Sequence, residues 1–168
     1  DDGLIQKACH VVRNTTPEIL CIVDVCFCEY TDHGHCGVLY ENSQGNLDVD
    51  NDATLQLLAK QALSLVKAGA QMIAPSGMLD GMVKTLRTAL DDHGFHDIPI
   101  MSYSVKYASK LYGPFRDAAQ GSPQFGDRST YQMNPANTKM ALREARSDVA
   151  EGADIIMVKP AGYYLDIV

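Results

Sequence analysis

The sequence has no tryptophan, no surplus of positive charge and no long apolar run, and the last two absences each exclude a class of protein. Fourteen lysine and arginine residues stand against 21 aspartate and glutamate residues, so the formal net charge is −7 and no basic cluster suggests nucleic-acid binding. Every apolar run is far shorter than the roughly 20 residues of a transmembrane helix. We therefore expect neither a nucleic-acid nor a membrane partner.

Composition also argues against disorder and against secretion. The residues are 46% hydrophobic and 21% charged, as in an ordinary globular protein. The sequence does not open with a charged segment followed by an apolar one, the pattern of a secretory signal, so we expect a cytoplasmic protein. The cysteine count is five, and an odd count in such a protein argues against a disulfide framework.

The two ends of the sequence predict an incomplete domain. The first residue is Asp1, residues 4–13 have the pattern of the end of a helix, and residues 153–159 have that of a buried strand. A domain rarely starts or stops on such elements, because an unpaired core strand exposes backbone groups and apolar surface. We therefore expect residues 1–168 to be one partial domain, an internal fragment of a longer chain.

Short apolar segments alternate with amphipathic ones along the chain. Buried strands are predicted at residues 19–25, 71–75, 98–103 and 153–158. Apolar residues spaced three and four apart predict helices at residues 53–67 and 78–93, with Asp52 capping the first and a glycine ending each. A third helix is predicted at residues 135–151, with a proline near its start and Gly152 at its end. This alternation predicts an α/β fold with parallel strands, either a doubly wound sheet or a (β/α)₈ barrel. Both architectures gather functional residues after the carboxyl ends of the strands.

Three of the cysteines follow the first predicted strand in the segment DVCFCEYTDHGHCG. They are Cys26, Cys28 and Cys36. Three thiolates that leave a fourth tetrahedral position open are typical of catalytic zinc, although a reduced cluster without metal also fits. Nearby candidates for orienting ligands or moving protons are Asp24, His33 and His35. Cys9 and Cys21 lie among apolar residues and are predicted to be in the core.

Two lysines follow predicted strands. Lys159 comes directly after apolar residues, so desolvation would lower its pKa and free the amine to attack carbonyls. Lys106 follows the third strand, although most lysines are merely solvated.

Two connections between predicted elements, residues 26–51 and 104–134, are long enough to be functional. The second carries Arg116 and Arg128, which suit a carboxylate, although ordinary surface arginines have the same pattern.

Four segments together resemble one known family. They are MSYSVKYASKLYGPFRDAA, FGDRSTYQMNPAN, EGADIIMVKPAGYYLDIV and DVCFCEYTDHGHCGVL, and they resemble the zinc-dependent type of 5-aminolevulinate dehydratase, or porphobilinogen synthase. The resemblance implies a (β/α)₈ TIM barrel, of which about four central βα units are present here. It also implies a homo-octameric lyase of heme biosynthesis, which condenses two molecules of 5-aminolevulinate to porphobilinogen with loss of two waters. The fragment alone is expected to be inactive.

The resemblance also implies roles for individual residues. The catalytic ones are Lys159, which forms a Schiff base with the first substrate, and Lys106, which engages the second. The implied substrate-binding residues are Arg116, Arg128, Gln132, Asp24, Ser76, Tyr112 and Phe115. The implied zinc ligands are Cys26, Cys28 and Cys36, and an allosteric magnesium site is implied at Glu144, a residue that its helix alone would leave as an ordinary solvated side chain. Gly77 departs from the family pattern, because many members carry an acidic residue there.

Two other interpretations fit part of the pattern. A class I aldolase is also a barrel with a Schiff-base lysine, but the cysteine triplet and the second lysine argue against it. A zinc-stabilised binding domain would explain the cysteines, but not Lys159 at a strand end or the long second connection.

Overall fold

The computed structural model describes residues 2–168. Its helices are α1 (Leu4–Thr15), α2 (Asn51–Lys67), α3 (Met82–Asp92), α4 (Gly113–Ala119) and α5 (Thr138–Glu151). Its strands are β1 (Ile22–Val25), β2 (Leu39–Glu41), β3 (Leu47–Val49), β4 (Met72–Pro75), β5 (Met101–Lys106) and β6 (Ile155–Lys159). Short 3₁₀ turns span Lys110–Tyr112 and Ala161–Tyr163. Within the described residues, no helix is both long and apolar enough to span a membrane.

Four parallel strands run side by side in the order β1, β4, β5, β6. β1 pairs with β4, and β5 pairs with β6. β4 and β5 are joined by the parallel bridge between Ile73 and Ile100, and the Ile73 amide donates to the Pro99 carbonyl at 3.1 Å. Apart from a hairpin, this order follows the chain without a reversal. A doubly wound sheet reverses its order at a switch point, so the arrangement favours the singly wound alternative.

The prediction that all four strands are buried on both faces is right for β4 and wrong for β1 and β6. All four residues of β4 are buried. In contrast, Ile22 of β1 and both Ile155 and Ile156 of β6 are exposed. Within the described residues β1 and β6 each have one strand neighbour, so one edge of each strand is uncovered. The described chain holds three strand–helix units and a fourth strand, and these do not close into a barrel.

The predicted helices form, with shifted starts. Asp50, not Asp52, caps α2, because its carboxylate accepts from the Ala53 amide at 2.9 Å. α3 begins at Met82 rather than residue 78, and α5 begins after Asn137, whose side chain accepts from the Met140 amide at 3.1 Å. The predicted stop at the end of α5 is confirmed. Gly152 has φ +105°, a backbone conformation that favours glycine.

The sequence did not predict the structure inside the two long connections. The first contains the antiparallel β2–β3 hairpin, whose turn is held by Asn42, since its side chain accepts from the amides of Gln44 and Asn46. The second contains α4, which begins at a Gly-Pro pair. The hairpin strands are three residues long and half-exposed, so no apolar run marks them.

Two groups of buried apolar residues stabilise the fold. The larger packs α2 and α3 against β4, and it includes Leu58, Ala62, Leu65, Ile73, Val83, Leu86, Leu90 and Ile100. The smaller contains Val105, Tyr107, Met133 and Ala141. The Met133 amide donates to the Lys106 carbonyl at 2.9 Å, and its carbonyl accepts from the Ala108 amide at 2.8 Å. The far end of the second connection is therefore fixed beside the end of β5.

Candidate active site

Four polar side chains lie at the carboxyl ends of the four parallel strands. They are Asp24 on β1, Ser76 after β4, Lys106 on β5 and Lys159 on β6. Lys106 and Lys159 are paired in register on adjacent strands, so the sheet itself sets the two lysines side by side. Lys106 is only 8% exposed, and its Nζ donates to the Ser76 carbonyl at 2.8 Å. The predicted gathering of functional side chains at this edge is present.

The Lys159 amine lies among aromatic rings. Its Nζ is 5.0 Å from the centre of the Tyr103 ring, 5.7 Å from that of Tyr112 and 5.5 Å from that of Phe115. Burial lowers the pKa of Lys159, and the positive charge of Lys106 lowers it further. Tyr112 also donates from its hydroxyl to the Lys159 carbonyl at 2.9 Å, which holds the strand end against the turn before α4. A lowered pKa increases the share of neutral amine, the form that attacks carbonyls.

Asp24 shares this edge of the sheet with both lysines. Burial raises the pKa of Asp24 to about 6, while a hydrogen bond from the Ser76 side chain opposes the rise. More than a third of Asp24 is exposed, so solvent screens part of this effect. Its carboxylate is close enough to Lys159 to act on the charge of that amine.

The three cysteines after β1 form a buried triplet. The Sγ atoms of Cys26, Cys28 and Cys36 lie within 4.8 Å of one another, and those of Cys26 and Cys28 are 3.4 Å apart. Ligand sulfurs on a tetrahedral zinc are about 3.8 Å apart, given a Zn–S distance of about 2.3 Å, so the triplet fits that ion. Hydrogen bonds from the other two thiols lower the pKa of Cys26, whereas the pKa of Cys36 rises to about 12. Within the triplet, a thiolate is therefore favoured at Cys26 over Cys36.

The other cysteines are separate from this triplet. Cys9 is buried in the main core, as predicted, while Cys21 is half-buried, and their sulfurs are 3.9 Å apart. All five cysteines are free among the described residues.

Arg116, Arg128 and Gln132 line one cleft. The cleft has a volume of about 410 Å³ and lies between α4 and the segment after it. Arg128 is 5% exposed, and its Nη2 donates to the carbonyls of Gly34 and Gly121 at 2.9 and 2.6 Å. Burial opposes the charge of Arg128, but the nearby cysteines, Cys36 foremost, raise its pKa overall. The Nε atoms of Arg116 and Arg128 are buried donors without a partner among the described residues, which suits a bound anion, while the equally unpartnered Oε1 of Gln132 is an acceptor and suits a donor group.

His35 and Tyr131 form a contact that the sequence only half revealed. His35 was a candidate from its position beside the cysteines, whereas Tyr131 carried no signal of its own. His35 is buried, its Nε2 is 3.0 Å from the Phe125 carbonyl, and its Nδ1 is 3.0 Å from the Tyr131 hydroxyl. Burial lowers the pKa of His35, which favours the neutral ring. Because a carbonyl only accepts, Nε2 carries the proton, and Nδ1 accepts from Tyr131. His33 has a local role, since its Nδ1 accepts from the His35 amide at 3.1 Å.

Glu144 lies on α5, at a small cavity. The cavity measures about 50 Å³, and its lining includes Gly77, Ser104 and Asp148. Oxygen donors suit magnesium, which keeps several waters and needs only one or two carboxylates, so Glu144 fits as a single ligand. Gly77 adds no side chain here, as its departure from the family pattern implied. Among residues 2–168, only the cysteine triplet brings three metal-ligating side chains together.

Residues 1–168 match the family described as delta-aminolevulinic acid dehydratase along their whole length. The delta-aminolevulinic acid dehydratase of Synechococcus elongatus is 59% identical over 170 residues, which cover 100% of this chain and 51% of that protein. The one from Staphylococcus aureus is 56% identical over 167 residues, covering 99% of this chain and 51% of that protein. The chain thus spans about half the length of the curated relatives it matches.

One solved structure is similar to this chain over nearly its whole length. It is the crystal structure of delta-aminolevulinic acid dehydratase (porphobilinogen synthase) from Toxoplasma gondii ME49 in complex with the reaction product porphobilinogen. It aligns with a TM-score of 0.94 and 46% identity over 99% of this chain and 47% of that one. The α/β arrangement is therefore shared, and the family match extends over every strand that carries a candidate site residue. On these grounds the chain belongs to the delta-aminolevulinic acid dehydratase family.

Proposed function

We propose that the full-length protein containing this chain is a porphobilinogen synthase, which condenses two molecules of 5-aminolevulinate into porphobilinogen and two waters in heme biosynthesis. The observation that carries the proposal is the in-register pair of lysines at the ends of β5 and β6, with the Lys159 amine among three aromatic rings. Family membership supports it and argues against an aldolase or a zinc-stabilised binding domain. The proposal includes a closed (β/α)₈ barrel that takes its central strands from this chain, a cytoplasmic location and a homo-octamer.

The first substrate would bond covalently to Lys159. The neutral amine attacks the ketone carbon and forms a C–N bond, and the carbonyl oxygen leaves as water once it has gained two protons. The resulting Schiff base holds the substrate in place and draws electrons from the neighbouring carbon. Lys106 and Asp24 are positioned beside this amine, and both act on its charge. The aromatic rings keep water from the imine, which water would hydrolyse.

The second substrate would be held by its carboxylate. Arg116, Arg128 and Gln132 line one cleft, and the unpartnered guanidinium nitrogens can donate to carboxylate oxygens. Lys106, fixed by the Ser76 carbonyl, would engage the other end of this molecule. Cys26, Cys28 and Cys36 would hold zinc, which when bound supplies a Lewis acid for the second substrate. Glu144 would contribute one carboxylate to a hydrated, allosteric magnesium ion.

Reductive trapping tests the proposal directly. Full-length protein is mixed with 5-aminolevulinate and borohydride, and the modified peptide is identified by mass spectrometry. We expect an adduct on Lys159, its loss in Lys159→Met and its retention in Lys60→Met, a matched change at an exposed lysine of α2. An active full-length protein whose adduct lies on another lysine, or that forms none, would overturn the proposal.

A further inference from the structure

Hydrogen bonds join two segments that are far apart in the sequence, the cysteine-bearing one and the one that carries Arg128. We define the cysteine loop as residues 26–37 and the lid segment as residues 121–134. The Gln124 amide donates to the His33 carbonyl at 3.0 Å. Arg128 donates to the Gly34 carbonyl at 2.9 Å, and His35 contacts both the Phe125 carbonyl and the Tyr131 hydroxyl at 3.0 Å. The lid segment is therefore docked on the loop that carries the cysteine triplet.

The docking is tight enough to exclude a side chain at the contact. Gly34 has φ +70°, and a Cβ added there would lie 2.5 Å from the Ser122 carbonyl oxygen. His35 also packs on the Phe125 ring, with the ring centres 4.6 Å apart. Because backbone meets backbone here, a displacement of the cysteine loop forces the lid segment to move or to separate from it.

Tyr131 connects the triplet to the residues proposed to hold the second substrate. Its side chain packs against the three cysteines, while its hydroxyl donates to His35. The amides of Tyr131 and Gln132 both donate to the Arg128 carbonyl, at 3.3 and 2.8 Å. Arg128, Tyr131 and Gln132 thus belong to one hydrogen-bonded turn, and the ring of Tyr131 anchors that turn to the cysteines.

We propose that His35 and Tyr131 are positioning residues, which hold Arg128 and Gln132 over the second-substrate cleft only while the cysteine triplet holds its metal. A bound ion would fix Cys36, the neighbour of His35, together with the two other cysteines against which the Tyr131 side chain packs. Without the ion the three sulfurs would be unconstrained, and the lid segment would lose that anchor. The inference rests on the proposed function for its substrate and on the triplet for its metal.

Hydrogen–deuterium exchange of the full-length protein tests the link without requiring turnover. We expect removal of zinc by a chelator to speed backbone exchange within residues 121–134, and added zinc to reverse it. Cys26→Ser, which removes a ligand, should show fast exchange whether or not zinc is added. Tyr131→Phe should retain zinc at the wild-type stoichiometry and still exchange about five- to tenfold faster than wild type, because one buried hydrogen bond is lost.

Steady-state kinetics supply the second readout. Tyr131→Phe and His35→Gln should each raise KM for 5-aminolevulinate about five- to tenfold with a smaller change in kcat, since each variant displaces Arg128 and Gln132 and leaves the Schiff-base lysine in place. Tyr40→Phe on β2 and His93→Gln after α3 are matched changes at exposed positions and should leave both values unchanged.

The outcomes separate this inference from the proposed function. Lid exchange that is the same with and without zinc overturns the inference, even if porphobilinogen forms. Wild-type exchange in zinc-loaded Tyr131→Phe also overturns it. If the wild-type protein instead makes no porphobilinogen while lid exchange still follows zinc, the proposed function fails and the link between loop and lid stands.

Discussion

Lys106 and Lys159 are chemically identical side chains on neighbouring strands, but their surroundings differ. Lys106 donates to one carbonyl, at 2.8 Å, and lies near one ring, that of Tyr103, whereas the Lys159 amine lies near the rings of Tyr103, Tyr112 and Phe115. The sequence could predict that both lysines follow strands, because Lys159 comes directly after one apolar segment and Lys106 comes three residues after another. It could not predict their pairing, since register depends on contacts between residues far apart in the chain.

The pH dependence of adduct formation should depend on Lys106. Burial, and then the charge of Lys106, lower the pKa of Lys159 from its ordinary 10.5, so the neutral amine is available at lower pH than in a free lysine. Lys106→Met removes the second cause, so the pKa of Lys159 should rise. Cyanoborohydride trapping rates, measured against pH, should therefore have their inflection at higher pH in this variant.

The control for that experiment keeps every titratable group that faces Lys159. These groups are Asp24, Cys28, Tyr103, Tyr112 and Lys106 itself. Lys60→Met removes an equal charge from the exposed face of α2 and should leave the inflection in place. If the inflection of Lys106→Met lies at the wild-type pH or at a lower pH, the two amines are not coupled.

At the scale of elements, the sequence pattern predicted the long helices and missed the short helix and the short strands. The helices α2 and α3 were predicted because their buried residues recur every three to four positions over several turns, whereas α5, which buries only Ala141, was predicted from the proline near its start and the glycine after its end. The β2–β3 hairpin and α4 were missed, since neither presents a buried face of that length. The cap of α2 was displaced by two residues, because Asp50 and Asp52 are equally good caps in sequence and only the backbone decides between them.

That displacement can be tested by a pair of alanine substitutions. Asp50→Ala removes the carboxylate that accepts from the Ala53 amide, and it should lower the free energy of unfolding by about 1 kcal/mol. Asp52→Ala leaves the cap in place and removes a charge and one exposed hydrogen bond, from the Asn51 side chain, in the first turn, which should cost about 0.3 kcal/mol. Urea denaturation of the full-length variants measures both. Equal losses, or a larger loss for Asp52→Ala, would contradict the assigned cap.

At the scale of the whole molecule, the site is a consequence of strand order. Four parallel strands that follow the chain without reversal bring their carboxyl ends to one edge, and the residues that follow them therefore meet. The sequence predicted this meeting in outline. The position of the lid segment was beyond prediction, because backbone carbonyls such as those of Gly34 and Phe125 fix it, and these carry no mark in the sequence.

The same strand order predicts how residues 1–168 behave when expressed by themselves. β1 and β6 each leave an edge unpaired and expose Ile22, Ile155 and Ile156. Unpaired edges with apolar side chains associate, so we expect oligomers or aggregates in light scattering and no porphobilinogen. The full-length protein is the control. A monodisperse, active 168-residue piece would contradict both the expectation and the proposed division of the barrel.

The separation of paired residues along the chain also sets the order in which contacts form during folding. The contacts that join neighbouring strands link Cys21 to Gln71 and Ile100 to Asp154, which are 50 and 54 positions apart. Closing loops of that length is slow compared with local events, and so the lysine pair can form only late in folding and after β6 has been synthesised. The three cysteines, in contrast, lie in one short stretch of chain. Under the proposed function, the triplet would therefore bind its zinc during synthesis while the two lysine amines are still apart, so the metal site would form before the site of the Schiff base.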